Sequence, residues 1–238
     1  MLDETFIFKG KRAKSKGIEL QGSITIGAPV PNFSEYNIPG KNGTLYEYDG
    51  TFQNRPITAP CFLLSHLLEK DIDEINAWLL SSPGYHRFED TNDNRHFMMA
   101  RAVSGIEKTA RNGILIPFTL EFDAMPQRFL KSGEKGINVT ETLSIHNPTA
   151  FPSLPIISIG GTGDISLEIG GATLTVYGLD GVIDYDAETE NASIGNDPLS
   201  YNYMIATSDQ IKIPSGTNEI KVTGDLQSLT IVPRWWEI

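Results

Sequence analysis

The chain has 238 residues, a single cysteine and a formal net charge of −11. One cysteine excludes an intrachain disulfide, and the acidic balance sets aside nucleic-acid binding as a main task, because phosphate contact needs clustered Lys and Arg. Apolar residues make up 39% of the chain beside 22 glycines and 14 prolines, the composition of a strand-rich globular protein with many turns.

The first residues, "MLDETFIFKGKRAK", lack an apolar core with a small-residue cleavage site, and no run approaches the roughly 18 apolar residues of a membrane span. The expectation is a chain made and folded in a cytoplasm. "TFIFKG" alternates as a strand does and leads into Lys9–Gly17, "KGKRAKSKG", five cations in nine residues. In so acidic a chain, this run reads as a loop that meets an acidic protein neighbour. "GIELQGSITIG" reads as further strand. Residues 28–54, rich in Gly, Pro and Asn and bearing aromatics, suit packing on their own domain poorly and read as an arm that reaches a neighbour.

Asp71–Ser82, "DIDEINAWLLSS", is the one convincing helix. Asp71 is expected as N-cap with Glu74 three residues on; Ile72, Ile75, Trp78 and Leu79, with Leu68 beside them, form an apolar stripe, and Pro83-Gly84 ends it. The stretch Tyr85–Met98, "YHRFEDTNDNRHFM", gathers two of the four histidines with Glu89, Asp90 and Asp93. It shows neither an H-E-x-x-H spacing nor a Ca²⁺-binding EF-hand loop, whereas "DTNDN" is strong turn chemistry between two short strands, so a hairpin is expected there. "ILIPFTLEFDA" follows as a strand.

Leu130–Pro155 reads as a linker running into a first strand, and after it the chain is strand-like to its end, with glycine turns every 8–12 residues or so. "GGTGD", Gly160–Asp164, reads as a turn between two strands. Charge divides in the same place: residues 1–133 hold 15 Lys and Arg against 16 Asp and Glu, and residues 134–238 hold 4 against 14. Two domains are therefore expected, 1–135 and 136–238.

In the second half, Asp184, Asp186, Glu188 and Glu190 alternate in "DYDAETE" and would share one face of a strand. Paired carboxylates of that kind serve Ca²⁺ sites and glycoside hydrolases, with Asp184, Asp186 and Glu188 as the acids, but alternate carboxylates on one strand need partners from elsewhere to form a site, so a solvated sheet face is the preferred reading. Tyr201, Tyr203 and Trp235 are the candidate glycan contacts, since aromatic rings stack on sugars, although a final strand such as "TIVPRWWEI" more often anchors a core or interface. No nucleophile elbow, phosphate loop or dinucleotide fingerprint is present, and neither enzymatic activity nor a cofactor is expected.

The order of these segments resembles that of siphophage distal tail proteins. "FIFKGKRAKSKGIEL", "IPGKNGTLYEYDG", the helix ending in "AWLL", "GYHRFEDTNDNRHFMMARAV" and "IPFTLEFDAMPQRF" fall in that family's order, as do "HNPTAFPSLPIISIGGTGDISLEIGG" and "NEIKVTGDLQSLTIVPRWWEI". Pro39, Gly40 and Gly43 match its turn, Trp78 and Leu79 its helix, Phe122 and Pro126 its domain-ending strand, Asn147 and Pro155 its entry to the second domain. The chain lacks the large insertions of sugar-binding members.

The resemblance implies a mainly β fold: an N-terminal β-sandwich-like ring-forming domain with one α-helix and a β-hairpin, then a C-terminal galectin-like β-sandwich (jelly roll). It implies a homohexameric ring at the virion tail tip, joining the tail tube protein to a tail-associated lysin or fibre hub protein and carrying receptor-binding proteins. DNA would cross the channel without specific binding, and no membrane insertion is implied. Lys11, Arg12, Tyr46, Tyr48, Asp90 and Asp93 are the candidate assembly contacts. The competing reading is a carbohydrate-binding module for attachment to the host surface.

Overall fold

A computed structural model describes residues 4–63, 69–107, 116–139, 144–195, 197 and 201–238. The chain divides into two compact units, Met1–Arg128 with Ile238, and Phe129–Glu237. Each holds its own apolar core.

The first unit comprises β1 (Phe6–Phe8), β2 (Lys11–Arg12), β3 (Ile18–Leu20), β4 (Thr25–Ile26), β5 (Pro31–Asn37), β6 (Thr44–Phe52), β7 (Arg55–Leu63), α1 (Glu69–Leu80), β8 (His86–Asp90), β9 (His96–Ala102) and β10 (Ile116–Leu130), whose end enters the second unit. The main sheet runs in the order β2-β1-β8-β9-β10-β7-β3, with β4 also on β7. Period-2 patterning places Ile57, Ala59, Cys61 and Leu63 of β7 inward, opposite Leu120 and Phe122 of β10. Phe6, Phe8, Phe88 and Phe122 meet there, with ring centroids 5.0 Å apart for Phe88 and Phe122 and 5.1 Å for Phe8 and Phe122. The helix closes this core with Ile72, Ile75, Trp78 and Leu79, and the Trp78 indole N–H donates to Phe8 O at 3.2 Å.

The expected helix is present, and residues 69 and 70 are already helical, so Asp71 is not its N-cap. Leu68 lies outside the described residues. The expected hairpin at Tyr85–Met98 is β8 and β9, antiparallel, with Phe88 opposite Met98.

The second unit comprises β11 (Ile137–Asn138), β12 (Ser144–Asn147), β13 (Ile156–Ile169), β14 (Ala172–Asp186), β15 (Asn191–Ser193), β16 (Ile205–Thr207), β17 (Gly216–Val232) and β18 (Trp236–Glu237). Its linker-like opening is more ordered than its composition suggests. β10 continues to Leu130, a 3₁₀ turn follows at Lys131–Glu134, and both β11 and β12 pair with β17.

Three strands of 14, 15 and 17 residues, β13, β14 and β17, form the antiparallel frame. The turn expected at Gly160–Asp164 is instead the middle of β13, where the register with both neighbours shifts. Inward residues in β14 are Leu174 and Val176 and then Leu179, Ile183 and Tyr185, so the alternation changes parity beside Gly178 at φ 59°. In β17 it changes between Ile220 and Leu229, around Gly224 at φ 108°. These irregularities bend each strand at one level, as bulges and glycines do. One half of the frame is edged by β11 and β15, the other by β12 and β16, and both halves line a single core.

Candidate assembly surface

The strongest departure from ordinary burial lies in β5 and β6. Among the described residues these strands pair only with each other, as a two-stranded sheet separate from the main one. The register sets Phe33 opposite Tyr48 and Glu35 opposite Tyr46 on one face, and Tyr36 opposite Leu45 and Ser34 opposite Glu47 on the other. Phe33 packs against Tyr46 and Tyr48 at centroid distances of 6.1 and 5.7 Å, and Tyr48 against Phe52 at 5.9 Å. Even so, Phe33 is 51% exposed, Leu45 51% and Tyr46 56%. Isolated two-stranded sheets are marginal in water, and contiguous exposed apolar surface marks an interaction site. Both strands fall within residues 28–54, the stretch read from the sequence as an arm, and β5–β6 is termed the arm.

Polar contacts fix the root of the arm. Gln53 N–H donates to Val30 O at 2.8 Å and Gly27 N–H to Pro56 O at 2.9 Å. Asn54 and Arg101 both donate to one carboxylate oxygen of Asp123, each at 2.9 Å. A side chain at Gly27 would run into the Pro56 ring, so the entering and leaving strands approach each other closely only with glycine there.

Lys11 and Arg12 are exposed on β2, beyond a tight turn in which Lys9 (φ 50°) and Gly10 (φ 72°) are both left-handed. Lys9 folds back so that its ammonium donates to Trp78 O at 2.9 Å and Leu79 O at 3.2 Å, capping the end of α1.

Asp90 and Asp93 form the β8–β9 turn. One Asp90 oxygen accepts from Asn92 N–H at 2.9 Å, and burial raises the Asp90 pKa despite that donor. Asp93 accepts from Arg95 N–H, the His96 ring and the Arg128 guanidinium, the last at 2.9 Å. Burial opposes ionisation of Asp93, but these donors outweigh it and hold its carboxyl at about 2. Both acids, each partly buried, thus bond within the turn and hold it. His86 is engaged elsewhere, its Nε2 3.1 Å from Ser82 O, and Glu89 accepts from Arg87 at 2.6 Å. Among the described residues, no group of three or more His, Cys, Asp or Glu side chains could hold a metal ion.

The acidic row of the second unit is not a single strand face. β14 ends at Asp186, and Glu188 and Glu190 lie in the following turn. Ser158 O–H donates to Asp184. Arg234 forks onto Asp186, with N–O distances of 2.6 and 2.8 Å, and reaches Glu188 at 3.0 Å. Burial would raise the Asp186 pKa, yet the Arg234 fork and backbone donors bring it below the usual value. The general acid of a glycosidase needs the opposite shift, and Asp186 is held instead as the ionised partner of Arg234.

Of the candidate glycan contacts, Trp235 is 4% exposed within the core and offers no ring face to a sugar. Tyr201 donates to Asp197 at 2.6 Å, and Tyr203, 6.0 Å away between ring centroids, is 78% exposed.

No family model and no curated protein matches the chain. Among solved structures it is similar to the crystal structure of the Dit (gp 19.1) protein of phage SPP1, described as a paradigm of the hub adsorption apparatus in phages that infect Gram-positive bacteria. The likeness has a TM-score of 0.68 over 99% of both chains, at 12% sequence identity. The chain has the Dit fold. Both units take part in the likeness to Dit, because the coverage leaves almost nothing of either chain unmatched. The Dit-like order of segments in the sequence thus corresponds to a Dit-like backbone. No helix is long and apolar enough to cross a membrane among the described residues.

Sequence reasoning located the arm but missed its individual contacts. Phe33, Tyr36 and Leu45 carry the alternation of a two-faced strand, which a run of Gly, Pro and Asn on either side obscures. Asp123, Arg128 and Arg234 act through partners far away in sequence, and their own neighbours give no sign of it.

Proposed function

We propose that the chain is a structural hub of a phage tail tip, working as a ring of identical subunits rather than as an enzyme. The observation that carries this reading is the Dit fold over 99% of both chains. The arm supports it, because a hairpin with apolar residues on both faces is stable only once something covers them. A heterologous contact repeated by rotation gives a closed ring, and the resemblance to distal tail proteins makes six the expected number. In this reading the ring joins the tail tube protein to a tail-associated lysin or fibre hub protein. The second unit carries receptor-binding proteins, and DNA passes through the channel without being gripped.

The test is mass measurement in solution joined to negative-stain imaging of the full chain, alone and with a tube protein. Rings with a central hole support the reading, and Tyr46→Ala with Tyr48→Ala should abolish them while leaving the fold intact. A strict monomer under every condition, with tube protein present, overturns it.

A second reading, a carbohydrate-binding module for the host surface, draws on the exposed Tyr203 beside Tyr201. It predicts cell-wall glycan binding by the full chain that Tyr203→Ala removes; equal binding by wild type and variant, or none by either, sinks it.

A further inference from the structure

We propose that the cationic patch of Lys11, Arg12 and Lys16 receives the acidic arm of a second copy of the chain. This rests on the reading of β5–β6 as an assembly arm and adds where the arm lands.

The patch is built for a carboxylate-bearing segment. Lys14 pairs with Glu19 at 3.6 Å, whereas the side chains of Lys11, Arg12 and Lys16 have no partner among the described residues. Lys11 and Lys16 line a depression of about 440 Å³ together with Lys9, Glu74, Ala77 and Trp78, and Arg12 lies exposed next to Lys11 on β2. A helix C-terminus would ordinarily repel an anion, but here Lys9 already occupies the Trp78 and Leu79 carbonyls. The result is a cationic rim of Lys9, Lys11 and Lys16 beside the end of α1, where Glu74 is the one acid of the lining.

The arm has the complementary chemistry. Glu35 and Glu47 are exposed on opposite faces and have no partner among the described residues, while Asp49 is used locally by Thr51. Lys41 is the only cation between residues 28 and 54. Tyr36 and Leu45 lie on the face of Glu47, and Phe33, Tyr46 and Tyr48 on that of Glu35, so either face brings apolar side chains together with a carboxylate. The nine residues of β6 span roughly 30 Å at about 3.3 Å per residue, long enough to cross to a neighbour. Patch and arm are different surfaces of one chain, so each copy can receive one arm and offer another, and such a head-to-tail contact repeated by rotation closes a ring. Arm-to-arm pairing would instead bring carboxylates together and leave the patch empty.

The experiment couples an equal mixture of ¹⁴N- and ¹⁵N-labelled full-length chains with a zero-length carbodiimide, which joins only touching ammonium and carboxylate groups, and identifies mixed-isotope links by mass spectrometry. Links from Lys11 or Lys16 to Glu35 or Glu47 are expected. Lys11→Glu with Lys16→Glu should weaken association at least about tenfold, and adding Glu35→Lys with Glu47→Lys should restore it. Should assembly need Tyr46 and Tyr48 while the arm carboxylates couple only to other lysines, or the exchange of charges restore nothing, this proposal falls and the arm reading stands. Absence of any arm-dependent assembly overturns both.

Discussion

Asp93 links one side chain to the behaviour of a whole turn. Its folded pKa of about 2 lies below the ordinary value near 3.9, so the stability it adds is present above about pH 4 and lost as pH falls through about 2. Asp93→Asn should flatten stability against pH across that window and cost on the order of 1 kcal/mol at neutral pH, the partial exposure limiting the effect. Urea titrations at a series of pH values would show it. Charge reversal at Asp93 is more severe, because it places an ammonium beside Arg128; near-UV dichroism should report a damaged fold rather than a simple loss of contact. Gly161 shows the other kind of dependence. A side chain there would collide with Asp225 O and the Ile165 side chain, and backbone cannot move aside as a flexible tip does. Gly161→Ala is expected to destabilise the second unit by about 2 kcal/mol or more, measured by denaturant unfolding. Cys61 is buried, and burial pushes its thiol up to about 12, so alkylating reagents should modify it only on unfolding.

At the scale of elements, the arm holds a conflict that its charges moderate. Both edges of a two-stranded sheet are open to pairing, and both faces of this one are apolar. Glu35 and Glu47, one on each face, oppose indiscriminate stacking of arms. Replacing both with Gln should speed aggregation of the unassembled chain, followed by light scattering, while leaving its thermal midpoint within about 2 °C. The same elements mark what could be read in advance. The helix was legible because Ile72, Ile75 and Leu79 repeat at helical spacing, and the β8–β9 hairpin because "DTNDN" can hardly be anything but a turn. Its core neighbour Trp78 followed from the stripe. The second unit was harder, since Gly160–Asp164 looks like a turn in any local reading. Only the hydrogen bonds of β14 and β17 on either side keep that stretch extended, and their parity changes at Gly178 and Gly224 become visible once the strands are aligned. The acidic row failed for a similar reason: its partner, Arg234, lies 46 residues beyond Glu188. At the arm, the location was legible from awkward composition, but the contacts at its root were not.

Across the whole molecule, two separate cores predict two unfolding transitions in calorimetry, with Gly161→Ala lowering only one of them. A single transition that moves as one would show the cores to be coupled. The charge is also divided: the first unit has 14 Lys and Arg against 16 Asp and Glu, the second 5 against 14. The second unit therefore repels its own kind, which favours keeping copies of it apart. Its three bent strands have a consequence for unfolding. Because β13, β14 and β17 each run through both halves of one core, neither half can be peeled away while the other remains. Unfolding has to disrupt both halves together, so the unit should lose its structure in one cooperative step rather than half by half.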